Sequence, residues 1–187
     1  MLLGQLFPEP SARLEIPPLV ASDRGHWGDS RLSTMIRRGS AQDVQFLRDM
    51  LRHAYYWRWE DPELADLPIV RYVEGWGRPG DRALILMEGF QPVGAAWYRL
   101  FTEAKPGYGF VDERTPELTI AVVPSRRGRG YVDELLTALM EQARADGFPV
   151  VSLSVEPDNP ALHLYERHGF RKAGEHGGAW VMRAELS

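Results

Sequence analysis

The chain of 187 residues contains no cysteine. That excludes disulfides, thiolate metal sites and a cysteine nucleophile, and it removes the usual sign of redox compartment. There is no run of about 18 apolar residues, so nothing in the sequence reads as a bilayer-spanning helix. Residues 1–33 do not read as a secretory leader, because Pro8, Pro10, Pro17 and Pro18 break their apolar stretches. Nor does one sign of charge dominate. The formal net charge is -4 and the pI about 5.8, so no global field draws in nucleic acid or an anionic membrane. The five histidines fall at no spacing with Asp or Glu that suggests a metal site. These absences lead us to expect a soluble, cytoplasmic protein with neither nucleic acid nor membrane as partner and no bound metal.

What is present suits one globular domain. Hydrophobic residues make up 44% and charged residues 26%, enough for an ordinary core. Residues 1–33, rich in Pro, Gly and Ser, form an irregular N-terminal extension, and residues 34–187 the domain. A short strand is expected over 34–38. Ser40 then caps a helix whose apolar face is Val44, Leu47, Leu51 and Ala54. A second helix is expected over 62–75. Strands follow over 82–88 and 92–101, joined as a hairpin around Gly89, then over 117–123 and 150–155, with a final pair over 170–174 and 179–184. A long helix to about Asp146 carries the stripe Val132, Leu135, Leu136, Leu139, Met140 and Ala143, and a short one covers 160–168. The fold class is α/β (α+β): a mixed, mostly antiparallel sheet of about six to seven strands flanked by helices.

The segment ELTIAVVPSRRGRGYVDELL, Glu117 to Leu136, carries the first chemical signal. A strand ends, and the chain turns through Arg126, Arg127, Gly128, Arg129, Gly130 and Tyr131 into a helix. Glycine allows a close backbone approach, and the first helical amides have no internal partners, so such a turn suits a phosphate or pyrophosphate. A nucleoside triphosphate loop would place Lys then Ser or Thr after the last glycine, where this chain has Tyr131 and Val132. A dinucleotide fingerprint lacks its third glycine. An RNA-binding patch and a chemically silent loop stay open at this point.

The second segment is LSVEPDNPALHLYERHGF, residues 153–170. With it the chain resembles the GNAT superfamily of acetyl-CoA-dependent N-acetyltransferases. The family's Gln/Arg-x-x-Gly-x-Gly/Ala loop is matched by Arg127 and Gly130, with Val132 departing from the last position. Its V-x-P strand exit is matched by Val122, Val123 and Pro124. Its Asn, Ala, Leu-Tyr-Glu and Gly-Phe pattern is matched by Asn159, Ala161, Leu164, Tyr165, Glu166, Gly169 and Phe170. The resemblance spans about 34–184.

The resemblance implies acetyl-CoA as cosubstrate. Its pyrophosphate would lie on the amides of Arg127, Gly128, Arg129, Gly130, Tyr131 and Val132, and its pantetheine along Ala121, Val122 and Val123. The cofactor arm would enter where this strand splays from 150–155. It also implies a direct transfer of acetyl to a primary amine in a ternary complex. An amine with a pKa of about 10 must lose a proton, and a thiolate must leave. Glu117 is the candidate base, with Asp112 and Glu113 in reserve, and Tyr165 is the candidate acid. The plainer alternatives are a surface carboxylate and a core tyrosine. Asn159 would cap the short helix and bond the cofactor arm. His163 and His168 read as structural.

The aromatics Tyr55, Tyr56, Trp57, Trp59 and Trp76 fall where the family walls its acceptor pocket. A small-molecule amine is the expected acceptor, with a protein N-terminus as the other option. The last two strands offer an edge for a homodimer. Two alternatives remain: a silent acyl-CoA-binding or regulatory domain, and an acyltransferase with another acyl group or acceptor.

Overall fold

Alternating and helical apolar periods settle most of the architecture. The computed structural model describes residues 33–55 and 68–186. These belong to one unit, Arg31–Ser187. The extension, Tyr56, Trp57, Trp59 and the first part of the expected second helix lie outside the described residues. Seven strands are found among those described: β1 (Thr34–Arg38), β2 (Arg82–Glu88), β3 (Gln91–Arg99), β4 (Glu117–Val122), β5 (Val150–Val155), β6 (Arg171–His176) and β7 (Ala179–Glu185). They form one sheet in the order β1-β2-β3-β4-β5-β7-β6. Every neighbouring pair is antiparallel except β4 and β5, which run parallel. The mixed, mostly antiparallel sheet expected from sequence is therefore the one observed.

Among the described residues three α-helices pack on this sheet: α1 (Val44–Tyr55), α2 (Tyr131–Ala145) and α3 (Leu162–Arg167). Helix α1 is entered through a 3-10 turn, Ala41–Asp43. Ser40 caps it, Asp43 returning a bond to the Ser40 amide in a reciprocal box. Helix α1 buries Leu47, Met50 and Leu51 on one face of the sheet, while α2 buries Leu135, Leu136, Leu139, Met140 and Ala143 on the other. The strands between them are covered on both sides, which is why β3 reads as a nearly continuous buried run.

The described part of the second helix expected over 62–75, residues 68–75, is not α-helical. Its described end is a 3-10 segment, Pro68–Tyr72. It is held instead by an arrangement with no sequence signature. Arg99 on β3 is fully buried and forms a forked bond to Asp81, at 2.9 Å from Nε and 2.6 Å from Nη2. Its Nη1 donates to the carbonyls of Arg71 and Glu74, and Trp76 lies over the guanidinium. Asp81 also accepts the amides of Gly77 and Arg78. Removing one member of a buried, fully bonded pair leaves a stranded charge, a change worth about 3–5 kcal/mol. Asp81→Ala should therefore lower the urea-unfolding free energy by about that amount. A loss under about 1 kcal/mol, as for an exposed pair, would contradict this account of the segment.

Candidate active site

Strand period places the site. Along β4 successive side chains alternate faces, so Leu118, Ile120 and Val122 turn toward the α2 core while Ala121 packs into the α1 core. Glu117 and Thr119 share the face of Ala121. Strands β4 and β5 are paired only at Glu117 and Ser152, and then diverge. The gap is a cleft of about 460 Å³, walled by Thr119, Ala121 and Val122 of β4 and by Leu153, Ser154 and Val155 of β5. It runs from α2, at Val132, to Tyr55, Tyr108 and His176 at its other end. A split parallel pair of this kind leaves backbone groups of β4 free to bond an extended ligand as an added strand.

One end of the cleft is the Gly-rich turn. Gly130 stands at the N-cap of α2 with φ +83°, and Gly128 has φ +75°, a region that favours glycine. A Cβ at either position would meet no atom within 4 Å apart from its chain neighbours. The amide of Arg127 bonds the Pro124 carbonyl at 3.3 Å. Among the described residues, no backbone carbonyl takes up the amides of Gly128, Arg129, Gly130, Tyr131 or Val132. With the positive end of the α2 dipole behind them, these amides suit a phosphate group. Val132 turns its side chain into the core and the cleft wall.

The arginines of the turn divide their work. Arg127 borders the cleft and reaches the His53 carbonyl at 3.4 Å. Arg126 and Arg129 instead pair with Glu88 at the end of β2, at 2.6 and 3.3 Å, and the Tyr131 hydroxyl donates to the same carboxylate at 2.9 Å. These donors, Arg126 foremost, hold the Glu88 carboxyl below its usual range. Glu88 thus pins both the turn and the first residue of α2 to the sheet. A glutamate at a hairpin end carries no sequence signal for this role.

At the opposite end, Glu117 is 1% exposed. Its Oε1 accepts the Tyr72 hydroxyl at 2.5 Å and the Gly109 amide at 2.8 Å, while Oε2 is buried without a hydrogen-bond partner. Burial pushes its pKa up to about 7, against the pull of Tyr72, Gly109 and the Arg71 charge. The loop that covers it requires glycine. A Cβ on Gly107 would lie 2.0 Å from Glu117 Oε2, and one on Gly109 2.5 Å from the Leu153 carbonyl carbon. Glu117 is therefore not a surface carboxylate. A group of this kind, neutral in part near pH 7 and able to take a proton, suits a general base.

Tyr165 on α3 lines the cleft, 8% exposed, with its ring edge-on to Phe170. Burial raises its pKa, so the hydroxyl stays protonated through the physiological range. Asn159 also lines the cleft, and its Oδ1 accepts the Ala161 amide at 2.9 Å, which steadies the entry to α3. Asp112 and Glu113 are exposed and accept the amides of Arg114 and Glu103, away from the Glu117 pocket. His163 and His168 form surface pairs with Glu166 and Asp133. Of the aromatics singled out from sequence, Tyr55 borders the cleft, and Trp76 packs on Arg99 instead. Tyr72, Tyr108 and Thr119 join the site without having been foreseen. Tyr72 sits in a 3-10 segment, and Tyr108 in a loop, where no period marks a residue.

A seven-stranded sheet split between two parallel strands, with a Gly-rich helix entry at one end of the gap and a buried glutamate behind the other, leaves room for an extended ligand that carries a phosphate group. The family model of the GNAT acetyltransferases matches residues 44–170, and the chain belongs to that family. A mycothiol acetyltransferase of Brachybacterium faecium is 37% identical over 84 residues, 44% of this chain and 24% of that protein. The L-methionine sulfoximine/L-methionine sulfone acetyltransferase of Pseudomonas aeruginosa is 35% identical over 79 residues, 42% of this chain and 45% of that protein. The chain thus aligns with less than half the length of these relatives. In fold it is similar to the PaiA N-acetyltransferase of Thermoplasma acidophilum, solved in complex with coenzyme A. The TM-score is 0.62 at 15% identity, covering 82% of this chain and 99% of the other. Among the described residues no helix is long and apolar enough to cross a membrane.

Proposed function

We propose that this protein is a cytoplasmic N-acetyltransferase that moves acetyl from acetyl-CoA to a primary amine by direct attack in a ternary complex. The observation that carries the proposal is the cleft opened by the parting of β4 and β5, with unbonded helix-entry amides at one end and Glu117 behind the other. Acetyl-CoA fits this arrangement: phosphate oxygens to the amides of Gly128–Val132, and the pantetheine amides to the edge of β4 that faces the gap, at Val122, since the Val123 amide is taken by the Val93 carbonyl. It supplies an activated thioester carbonyl. Glu117 takes the proton that the amine loses. Backbone donors of the β4 edge stabilise charge developing on the carbonyl oxygen. Tyr165 protonates the departing sulfur, whose unperturbed thiol pKa is about 8.5. The acceptor is best sought among small amines, with an N-terminal peptide as the second class.

The test is release of free CoA thiol when the protein is mixed with acetyl-CoA and each of spermidine, L-methionine sulfone and an alanine-terminated peptide. Turnover of any one supports the proposal. Tight acetyl-CoA binding with no turnover across the panel would favour a silent binding domain, and faster reaction with propionyl-CoA would reassign the acyl group. Tyr165→Phe should lower kcat about 10- to 100-fold with acetyl-CoA affinity unchanged, and an unaltered kcat would remove Tyr165 from the chemistry.

A further inference from the structure

Glu117 does not face the cleft. Its side chain is 1% exposed, and the wall before it is built by Tyr55, Tyr108 and Thr119. Gly109 closes over it from the loop, close against β5. An amine in the cleft therefore meets hydroxyls before it meets the carboxylate.

Between the cleft and Glu117 stand two phenols, Tyr55 and Tyr72. Tyr72 donates to Glu117 Oε1, and its oxygen is fixed by the Tyr108 amide at 2.7 Å. The Tyr55 and Tyr72 rings lie 5.2 Å apart, and both phenols are close enough to Glu117 to feel its charge. Tyr55 itself borders the cleft. Thr119 Oγ1, on the same face of β4 as Glu117, is buried without a partner where an amine or a water would arrive.

We propose that the amine never reaches Glu117 directly, and that its proton passes to the carboxylate through the hydroxyls of Tyr55 and Tyr72. This rests on the assignment of Glu117 as the base. Tyr55 Oη accepts the amine proton as its own proton moves, directly or across one bridging water, to Tyr72 Oη, and Tyr72 in turn releases its proton to Glu117 Oε1. Each oxygen on the path ends with the hydrogen count it began with, except the carboxylate, which gains one as the amine loses one. The concerted form is required, since burial holds both phenols well above their usual pKa and a free phenolate is disfavoured. The other groups around Glu117 are Tyr108 on the loop and the Arg71 guanidinium, which lies over the Tyr108 ring. Tyr55 is thus the group that touches substrate, and Tyr72 hands the proton on to the base.

The test compares full-length wild type, Tyr55→Phe, Tyr72→Phe and Glu117→Gln as pH profiles of kcat and kcat/KM, using whichever amine of the panel turns over fastest. Both phenylalanine variants should lose at least about 10-fold in kcat with acetyl-CoA affinity near wild type and cooperative melting retained. Tyr72→Phe should also shift the acidic limb upward, because the lost donor had lowered the Glu117 pKa. Wild-type kcat in both phenylalanine variants, with Glu117→Gln inactive, would overturn the relay and leave the base assigned. Full activity of Glu117→Gln, or no turnover of the whole panel by the wild type, would overturn both. A Tyr55→Phe effect confined to the amine KM would make Tyr55 a wall only and overturn the relay. A second test needs no variant. In single turnovers in H2O/D2O mixtures the relay predicts a bowed dependence of rate on deuterium fraction, and a linear one overturns it.

Discussion

Glu117→Gln is expected to lower kcat/KM by about 10²- to 10⁴-fold, the usual contribution of a general base, and at the same time to make the protein more stable above pH 7. Both effects have one cause. Burial raises the Glu117 pKa from 4.5 to about 7, so the folded protein keeps a proton that the unfolded chain releases between those values. The native state then binds more protons than the unfolded state, and stability falls as pH rises through that window. The stabilising contribution is complete below pH 4.5. Above pH 7 the folded state carries a penalty of roughly 3 kcal/mol, since each tenfold change in proton affinity corresponds to about 1.4 kcal/mol. Glutamine keeps an acceptor for Tyr72 and the Gly109 amide and carries no charge to desolvate. Urea unfolding at pH 5 and pH 8.5 should show wild type losing stability between the two and the variant nearly level. Equal losses in both proteins would mean that the pH dependence arises at groups other than Glu117.

Gly130→Glu is the second large effect. Gly130 holds φ +83°, and a left-handed backbone at a residue with a Cβ costs about 1–2 kcal/mol. Apart from its chain neighbours, no protein atom lies within 4 Å of the added Cβ, so the new carboxylate projects into open space. That space is where the pyrophosphate is placed. A like charge at about 4 Å is unfavourable by up to about 4 kcal/mol near a protein surface, so acetyl-CoA affinity should fall about 100-fold or more. Gly130→Ala separates the two contributions, carrying the backbone cost without the charge. If alanine weakens binding as much as glutamate does, the turn matters only as backbone and the phosphate lies elsewhere.

The sequence carried the frame because burial leaves periodic marks. The apolar runs of β2–β5 and the α2 stripe fell within a residue or two of their observed ends. The helix-entry turn was legible because glycine at Gly128 and Gly130 answers a backbone need visible in the residue type itself. What stayed hidden depends on contacts distant along the chain. Arg99 reads as an ordinary charged end to a strand, yet it organises residues 71–81 from the core. Glu88 reads as a hairpin-end acid and is the anchor for two arginines of the turn. Tyr72 and Tyr108 occupy segments without a period, so nothing local distinguishes them from loop aromatics. The expected helix over 62–75 shows the limit from the other side. Its apolar spacing was genuine, but Val73 is buried through a 3-10 turn locked by Arg99 rather than through a helical face.

The central claim is that the gap between β4 and β5 holds acetyl-CoA, and calorimetric titration of acetyl-CoA into the full-length wild type tests it most directly. The account predicts one site per chain, with binding weakened about 100-fold or more by Gly130→Glu in a protein that still melts cooperatively. Absence of binding to the wild type, or equal binding to wild type and Gly130→Glu, would contradict it.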